Sequence, residues 1–263
     1  MSTGFIRRAR IRTSVFLRAL FRRPVRLCHP LDGFRGYFSK DYALKPPEVH
    51  YVHQVVERIR SHFVCFDVGA YLGYYTLLFA RFAREVHAFE PLPANLRVLR
   101  ANVRLNRLGN VSMHETAVSG GRGRTRLCAS AGVDSMASVR RSEGLERIEV
   151  ETISLDSFCA ETAIWPDLVK IDVEGCECEV IQGMQGVLAR KHPLVFLEVH
   201  TTYVPDDAID AMFGSLRGMG YRIFSWLEDV EPGGHGFWRN RVEIARASDL
   251  KVGATLALPP GTE

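Results

Sequence analysis

The sequence has no long hydrophobic run. Nowhere in its 263 residues do about 18 or more apolar residues follow one another, so a membrane-spanning helix is not predicted. Its six cysteines also lack the spacing of a zinc site, because Cys176 and Cys178 are separated by a single residue. We interpret all six as reduced thiols, which is typical of a cytoplasmic protein.

A strong basic charge is missing from most of the chain. Eight arginines lie within the first 26 residues, before the first acidic residue, Asp32. Removing those eight from the 34 lysines and arginines leaves 26 against 30 acidic residues, a net charge of −4. A mildly acidic body is not typical of a nucleic-acid-binding surface, so no nucleic acid partner is expected.

The arginine-rich segment predicts an N-terminal leader, which together with a short connecting segment occupies residues 1–45. Ile11, Val15 and Phe16 can share one face of a helix, so the leader could bind an anionic membrane surface or a partner. An organelle transit peptide and a loosely packed leader are the alternatives. We therefore expect a cytoplasmic protein, with peripheral membrane contact through this leader as the second option.

Apolar runs and helical periodicities alternate over residues 46–263, which predicts one α/β domain. Strands are expected at 62–68, 86–90, 111–114, 168–172, 194–199, 221–226 and 241–245. Helices are expected at 48–61, 74–82, 93–105, 155–162, 176–190 and 206–219. Residues 120–153 depart from this alternation, and they predict a hairpin of 125–128 with 147–153 around a polar loop.

A glycine turn follows the first of these strands, in the sequence Phe66-Asp67-Val68-Gly69-Ala70-Tyr71-Leu72-Gly73-Tyr74-Tyr75-Thr76. A strand, a glycine turn and a helix N-terminus present backbone N–H groups to a ligand, and glycine allows that ligand to approach closely. Dinucleotide sites prefer Gly-x-Gly-x-x-Gly. Tyr71 stands in place of the second glycine, which weakens the dinucleotide interpretation.

Four acidic residues stand at predicted strand ends: Asp67, Glu90, Asp172 and Glu198. Ligands of open α/β sheets bind at the carboxyl ends of the strands. Glu90 can accept hydrogen bonds from both hydroxyls of a ribose, and Asp67 places negative charge near a cationic methionine group. This arrangement suits S-adenosylmethionine, although an NAD-dependent oxidoreductase stays open because a similar acid binds the NAD ribose.

Three motifs together resemble the FkbM family of S-adenosylmethionine-dependent methyltransferases. They are Phe66-Asp67-Val68-Gly69-Ala70-x-x-Gly73-Tyr74-Tyr75-Thr76, Phe89-Glu90-Pro91, and Val169-Lys170-Ile171-Asp172-Val173-Glu174-Gly175-x-Glu177, and the resemblance extends over 63–200. It implies a Rossmann-like seven-stranded methyltransferase sheet, mostly parallel with an antiparallel last strand and helices on both faces. It also implies O-methylation of a hydroxyl on a small molecule, sugar or glycan. Tyr71 departs from the family, which usually has Asn there.

The site residues follow from these motifs. S-adenosylmethionine is expected to contact Asp67, Gly69, Ala70, Tyr71, Gly73, Glu90, Pro91, Ala117, Val118 and Asp172, of which Ala117 and Val118 can line an adenine pocket. Asp172 and His200 are the candidates for the catalytic base. Asp172, Glu174 and Glu198 could instead hold a divalent cation that binds a substrate diol, although no metal is expected.

Two further interpretations concern the parts outside these motifs. The excursion over 120–153 is predicted to cover the acceptor site, because long loops in compact domains are often functional. A non-catalytic protein that keeps the fold and binds a membrane surface through the arginine leader is the alternative to an enzyme.

Overall fold

The computed structural model describes residues 25–26, 35–36, 59, 62–129, 137–140, 146–226, 241–250 and 254–262. Most of the predicted leader, all but residue 59 of the helix predicted at 48–61 and most of the predicted loop in the excursion lie outside the described residues. Strands β1 (Val25–Arg26) and β2 (Arg35–Gly36) form a short antiparallel pair. No helix within the described ranges is long and apolar enough to cross a membrane.

The other elements follow the predicted alternation closely. In chain order they are β3 (Val64–Val68), α1 (Tyr74–Phe79), β4 (Glu85–Phe89), α2 (Pro93–Leu105), β5 (Val111–His114), β6 (Ala117–Val118), β7 (Gly123–Ala129), β8 (Glu146–Ile153), α3 (Leu155–Thr162), β9 (Leu168–Ile171), α4 (Glu177–Gln182), α5 (Gln185–Lys191), β10 (Leu194–Glu198), α6 (Asp206–Gly218), β11 (Arg222–Trp226), β12 (Arg241–Glu243) and β13 (Ala254–Leu258).

The central sheet has the strand order β12-β11-β13-β10-β9-β3-β4-β5. Strands β5, β4, β3, β9 and β10 are parallel neighbours, whereas β13 is antiparallel to both β10 and β11. The predicted mostly parallel sheet with an antiparallel last strand is therefore confirmed, and β12 adds an eighth strand at one edge. The order reverses between β3 and β9, which is where open α/β sheets bind their ligands.

Helices cover both faces of this sheet, as predicted. On β3, the side chains of Val64, Phe66 and Val68 belong to one core with α3, α4, α5 and α6. Cys65 belongs to the other core, with α1 and α2. Alternate residues of a strand point to opposite faces, so β3, which is buried on both faces, is apolar except at Asp67. The five cysteines that the structure describes are free thiols.

Two larger differences from the predictions concern the central sheet and its helices. The helix expected at 176–190 is two helices, α4 and α5, which meet at Gly183. A Cβ at Gly183 would lie 2.2 Å from the carbonyl oxygen of Ser119, so the chain packs closely there and the helical run is interrupted. Strand β13 was not predicted, although it separates β10 from β11 in the sheet.

The excursion over 120–153 contributes a separate three-stranded sheet. Strands β7 and β8 form the predicted antiparallel hairpin, and β6 pairs in parallel with β8. A small core joins this sheet to the segment after β4, because Leu92 packs with Leu127, Ala129 and Val150. The excursion is thereby fixed beside the carboxyl ends of the parallel strands.

Candidate active site

A large cavity opens at the carboxyl ends of β3, β4, β9 and β10. Its volume is about 680 Å³, which is in the range of pockets that bind small molecules and cofactors. Ten of the predicted site residues line it: Gly69, Tyr71, Glu90, Pro91, Ala117, Val118, Asp172, Glu174, Glu198 and His200. Residues far apart in the sequence therefore meet at one end of the sheet.

Glu90 is held rigidly at the cavity wall, directly after β4, and is only 4% exposed. Its Oε2 accepts a hydrogen bond from the backbone N–H of Tyr71 at 2.9 Å. Its Oε1 accepts from the N–H of Leu92 at 2.9 Å and from Nδ2 of Asn95 at 3.1 Å. Burial raises the pKa of Glu90 to about 7, although these hydrogen bonds oppose the shift. The carboxylate is thus positioned before any ligand binds.

Asp67 lies behind the cavity and does not line it. It is fully buried, and its Oδ2 accepts a hydrogen bond from the hydroxyl of Thr76 at 2.6 Å. Its Oδ1 lies 3.4 Å from Nζ of Lys170. The expectation that Asp67 faces the cationic end of a cofactor is therefore corrected, because its side chain fixes α1 and pairs with a buried ammonium.

Lys170 is a buried cation that sequence reasoning passed over. Its Nζ donates to the carbonyl oxygen of Gly69 at 2.8 Å and lies 3.3 Å from Oδ2 of Asp172. Burial opposes its charge, but Asp172 and Asp67 outweigh that effect and raise its pKa. Asp67 and Lys170 are direct partners in the register of β3 and β9, which becomes visible only in the folded sheet. Lys170 ties the glycine turn to the end of β9.

The two glycines of the turn serve different purposes. Gly69 lines the cavity with φ +76°, and a Cβ there would lie 1.7 Å from the carbonyl oxygen of Asp172. Gly73, with φ +88°, does not line the cavity, and its Cβ would lie 2.1 Å from Cδ1 of Leu99 on α2. Ala70 is buried and its N–H donates to the carbonyl oxygen of Phe89. Gly73 and Ala70 therefore shape the turn, and their predicted contact with the cofactor stays a prediction.

Tyr71 has a backbone conformation that its side chain disfavours, with φ +52°. Asn tolerates the left-handed region better than other residues with a side chain, whereas most of them lose about 1–2 kcal/mol there. This gives a conformational reason for the Asn that is usual in the family. The backbone N–H of Tyr71 still donates to Glu90, so the substitution leaves that contact intact and adds a phenol to the cavity wall.

His200 stands among four carboxylates at the other end of the cavity. Its Nδ1 lies 2.8 Å from Oε1 of Glu177. Its Nε2 lies 3.6 Å from Oε2 of Glu174, 3.8 Å from Oδ1 of Asp172 and 4.0 Å from Oε1 of Glu198. Sequence reasoning placed Glu177 in a motif without giving it a role at the site. Its position at the start of α4 places its carboxylate beside the imidazole of His200.

The negative charges around His200 raise the pKa of its imidazole. Burial lowers its pKa, but the hydrogen bond that its ring donates to Glu177 and the charges of Asp172 and Glu174 outweigh burial and raise the pKa to about 9. The sequence pattern did not show this shift, which depends on acids from other elements. Which of Asp172 and His200 acts as the base stays a prediction.

The excursion borders both ends of the cavity. Thr125, Leu127 and Thr152 of its sheet line the wall near Val118. Further along, the hydroxyl of Ser138 donates to the carbonyl oxygen of Glu174 at 2.5 Å, and Nη2 of Arg140 donates to Oε1 of Glu179 at 2.9 Å. The excursion therefore also holds the loop that carries Glu174.

Comparison with known proteins identifies a family. The family model described as "Methyltransferase FkbM domain" matches residues 67–223. The chain is 30% identical over 217 residues to 31-O-demethyl-FK506 methyltransferase FkbM of Streptomyces tacrolimicus, which covers 70% of this chain and 81% of that protein. It is 26% identical over 143 residues to Methyltransferase 1 of Beauveria bassiana (strain ARSEF 2860), with 45% and 57% of the two chains covered.

A solved structure described as methyltransferase FkbM from Methylobacillus flagellatus KT is also similar. It aligns with a TM-score of 0.46 at 14% identity and covers 82% of this chain and 52% of that chain. The family match decides between the alternatives that the sequence motifs left open, because it selects methyl transfer over NAD-dependent oxidation.

Proposed function

Because the chain belongs to the FkbM family of methyltransferases, we propose that it transfers a methyl group from S-adenosylmethionine to a hydroxyl oxygen of a small molecule, sugar or glycan. The observation that carries the choice of donor is Glu90, a buried and pre-positioned carboxylate on the cavity wall at the end of the second parallel strand. The name of the relative from Streptomyces tacrolimicus describes transfer to an oxygen, which supports a hydroxyl acceptor.

The residues present fit the donor. Two ribose hydroxyls can donate to the Glu90 carboxylate, and the cavity is lined beside it by Pro91, Ala117 and Val118, which suit a flat aromatic ring. At the opposite end, the carboxylates of Asp172 and Glu198 face the cavity and can attract a cationic sulfonium. A volume of about 680 Å³ leaves room for an acceptor beside the donor.

The chemistry asked of the protein is alignment and proton removal. The bound donor supplies a methyl group that is already activated by its sulfonium. The protein holds an acceptor oxygen in line with the departing sulfur, and alignment of this kind can lower a barrier by up to about 7–11 kcal/mol. The oxygen forms the new bond to carbon while the pair from the broken bond to carbon stays on sulfur. Asp172, oriented by Lys170, accepts the hydroxyl proton.

The test is direct titration by isothermal calorimetry of the full chain with S-adenosylmethionine, with NAD⁺ titrated in parallel. We expect one saturable site for S-adenosylmethionine and no heat from NAD⁺. Absence of binding by S-adenosylmethionine would refute the proposal. A panel of sugars and small alcohols, incubated with the donor and analysed by mass spectrometry and NMR, then identifies the methylated atom.

A further inference from the structure

Three side chains at the end of the cavity are arranged like the ligands of a metal ion. One ligand atom from each of Asp172, Glu174 and His200 can be chosen so that all three lie within 4.8 Å of one another. All three residues line the cavity and are half-buried. Asp172 comes directly after β9, and His200 comes two residues after the end of β10, so the sheet fixes the spacing of two of the three.

A buried carboxylate holds the imidazole in the orientation that a metal ligand needs. Glu177 is fully buried, and its Oε1 both accepts from the N–H of Gly175 at 3.0 Å and lies 2.8 Å from Nδ1 of His200. Metal-binding histidines commonly bind a carboxylate through the second ring nitrogen, which fixes the tautomer and leaves the first nitrogen for the metal. Here Nε2 is the nitrogen that faces Asp172 and Glu174. The Oε2 of Glu177 has no hydrogen-bond partner among the described residues.

Several carboxylates lie close together at this end of the cavity. Oxygens of Asp172, Glu174, Glu177 and Glu198 all lie within 4.0 Å of a ring nitrogen of His200. Nζ of Lys170 lies 3.3 Å from Oδ2 of Asp172 and 3.4 Å from Oδ1 of the buried Asp67. Charges in a partly buried site are costly unless they are paired or bind a metal.

We propose that Asp172, Glu174 and His200 bind a divalent cation of the Mg²⁺ or Mn²⁺ type, which coordinates two adjacent oxygens of a vicinal diol acceptor. The inference rests on the proposed methyl transfer and specifies its acceptor class. Two carboxylates suit a hard cation, and an imidazole is compatible with Mn²⁺. This ligand set differs in one residue from the set suggested by the sequence, because His200 replaces Glu198.

Such an ion assigns new roles to the acids at this end of the cavity. Coordination of one diol hydroxyl lowers its pKa and orients its oxygen towards the donor. Asp172 then acts as a ligand, and the hydroxyl proton passes to Glu198, which lines the cavity and is partly exposed to solvent. The new bond joins that oxygen to the methyl carbon, and the electron pair of the broken bond remains on sulfur.

The experiment measures Mn²⁺ binding to the full chain by electron paramagnetic resonance of the free ion, without methyl donor or acceptor. We expect one Mn²⁺ per chain, and we expect Glu174→Gln to weaken its affinity by at least tenfold. Glu177→Gln should weaken it by about 10–100-fold through loss of imidazole orientation. Glu179→Gln is the matched control, because Glu179 lines the same cavity with the same charge but lies outside the ligand set. It should change the affinity by less than threefold.

The outcomes separate this inference from the proposed function. Circular dichroism establishes that each variant is folded before titration, and the calorimetric titration with S-adenosylhomocysteine is run on the same samples. No saturable Mn²⁺ site in a chain that binds S-adenosylhomocysteine would overturn the metal site and leave methyl transfer standing. Equal losses of affinity in Glu174→Gln and Glu179→Gln would also overturn it, since they would show a diffuse attraction to negative charge.

Discussion

Replacement of Glu90 by Gln tests the cofactor site with little change of shape. The side chain keeps one oxygen, which can still accept from Leu92 and Asn95. Its new NH₂ group faces the N–H of Tyr71, where two donors now meet. The ionised acceptor for one ribose hydroxyl is lost at the same time. The substitution should therefore weaken binding of the methyl donor while it leaves the packing of the β4 end in place.

The expected size follows from the hydrogen bonds involved. A hydrogen bond to a charged group contributes about 1.5–3 kcal/mol. Since about 1.4 kcal/mol corresponds to a tenfold change in affinity, Glu90→Gln should weaken the binding of S-adenosylhomocysteine by roughly 10–100-fold. Calorimetric titration at pH 8 measures this, with Glu85→Gln as the matched control on the same strand. Glu85 lies outside the cavity lining and contacts His87, so its variant should bind normally.

The same experiment has a second arm that depends on pH. The pKa of Glu90 is raised to about 7, so the affinity of the native chain should fall as the pH drops from 8 to 6 and the carboxylate takes up a proton. Glu90→Gln should show no such fall. Without ligand, the raised pKa stabilises the fold below the ordinary value of 4.5, and this stabilisation is lost as the pH rises through 7. Unchanged affinity in Glu90→Gln at pH 8 would refute the assignment of the ribose site.

Three further predictions concern residues around the site. Gly73→Ala places a Cβ 2.1 Å from Cδ1 of Leu99 at a backbone φ of +88°. Urea denaturation should therefore show a loss of about 1–3 kcal/mol in the free energy of unfolding. An unchanged denaturation midpoint would contradict the packing role of Gly73. Lys170→Met leaves the buried carboxylates near it without their cation, so the free energy of unfolding should fall by about 3–5 kcal/mol. A melting temperature equal to that of the native chain would argue against the ion pair. Asp172→Asn removes the proton acceptor or, with the divalent cation bound, one of the ligands of that cation. It should lower kcat by roughly 10²–10⁴-fold once an acceptor is known, and full turnover would remove Asp172 from the chemistry.

The sequence was most informative where local pattern and tertiary structure agree. The strand and helix on either side of Gly69 were predicted because an apolar run, a turn residue and a second apolar run are each local signals. The predicted helix Pro93–Leu105 has the observed bounds, since Pro at the first position and the apolar stripe both point to it. The convergence of Glu90, Asp172 and His200 followed from strand-end positions in a parallel sheet.

The errors arose where the sheet decides the environment of a side chain. Asp67 and Lys170 lie in adjacent strands, and their mutual neutralisation depends on a register that the sequence does not display. His200 owes its raised pKa to Glu177, which arrives from another element. The excursion over 120–153 lines the wall near Val118, and its predicted position over the acceptor stays a prediction. Its pairing with Glu174 and Glu179 depends on contacts distant in sequence.

The most direct test of the account is a crystal structure of the full chain with S-adenosylhomocysteine. We predict that both ribose hydroxyls lie within hydrogen-bond distance of the Glu90 carboxylate and that the sulfur faces the end of the cavity that carries Asp172 and His200. A ligand bound with its ribose away from Glu90, or with its sulfur outside this cavity, would contradict the central claim.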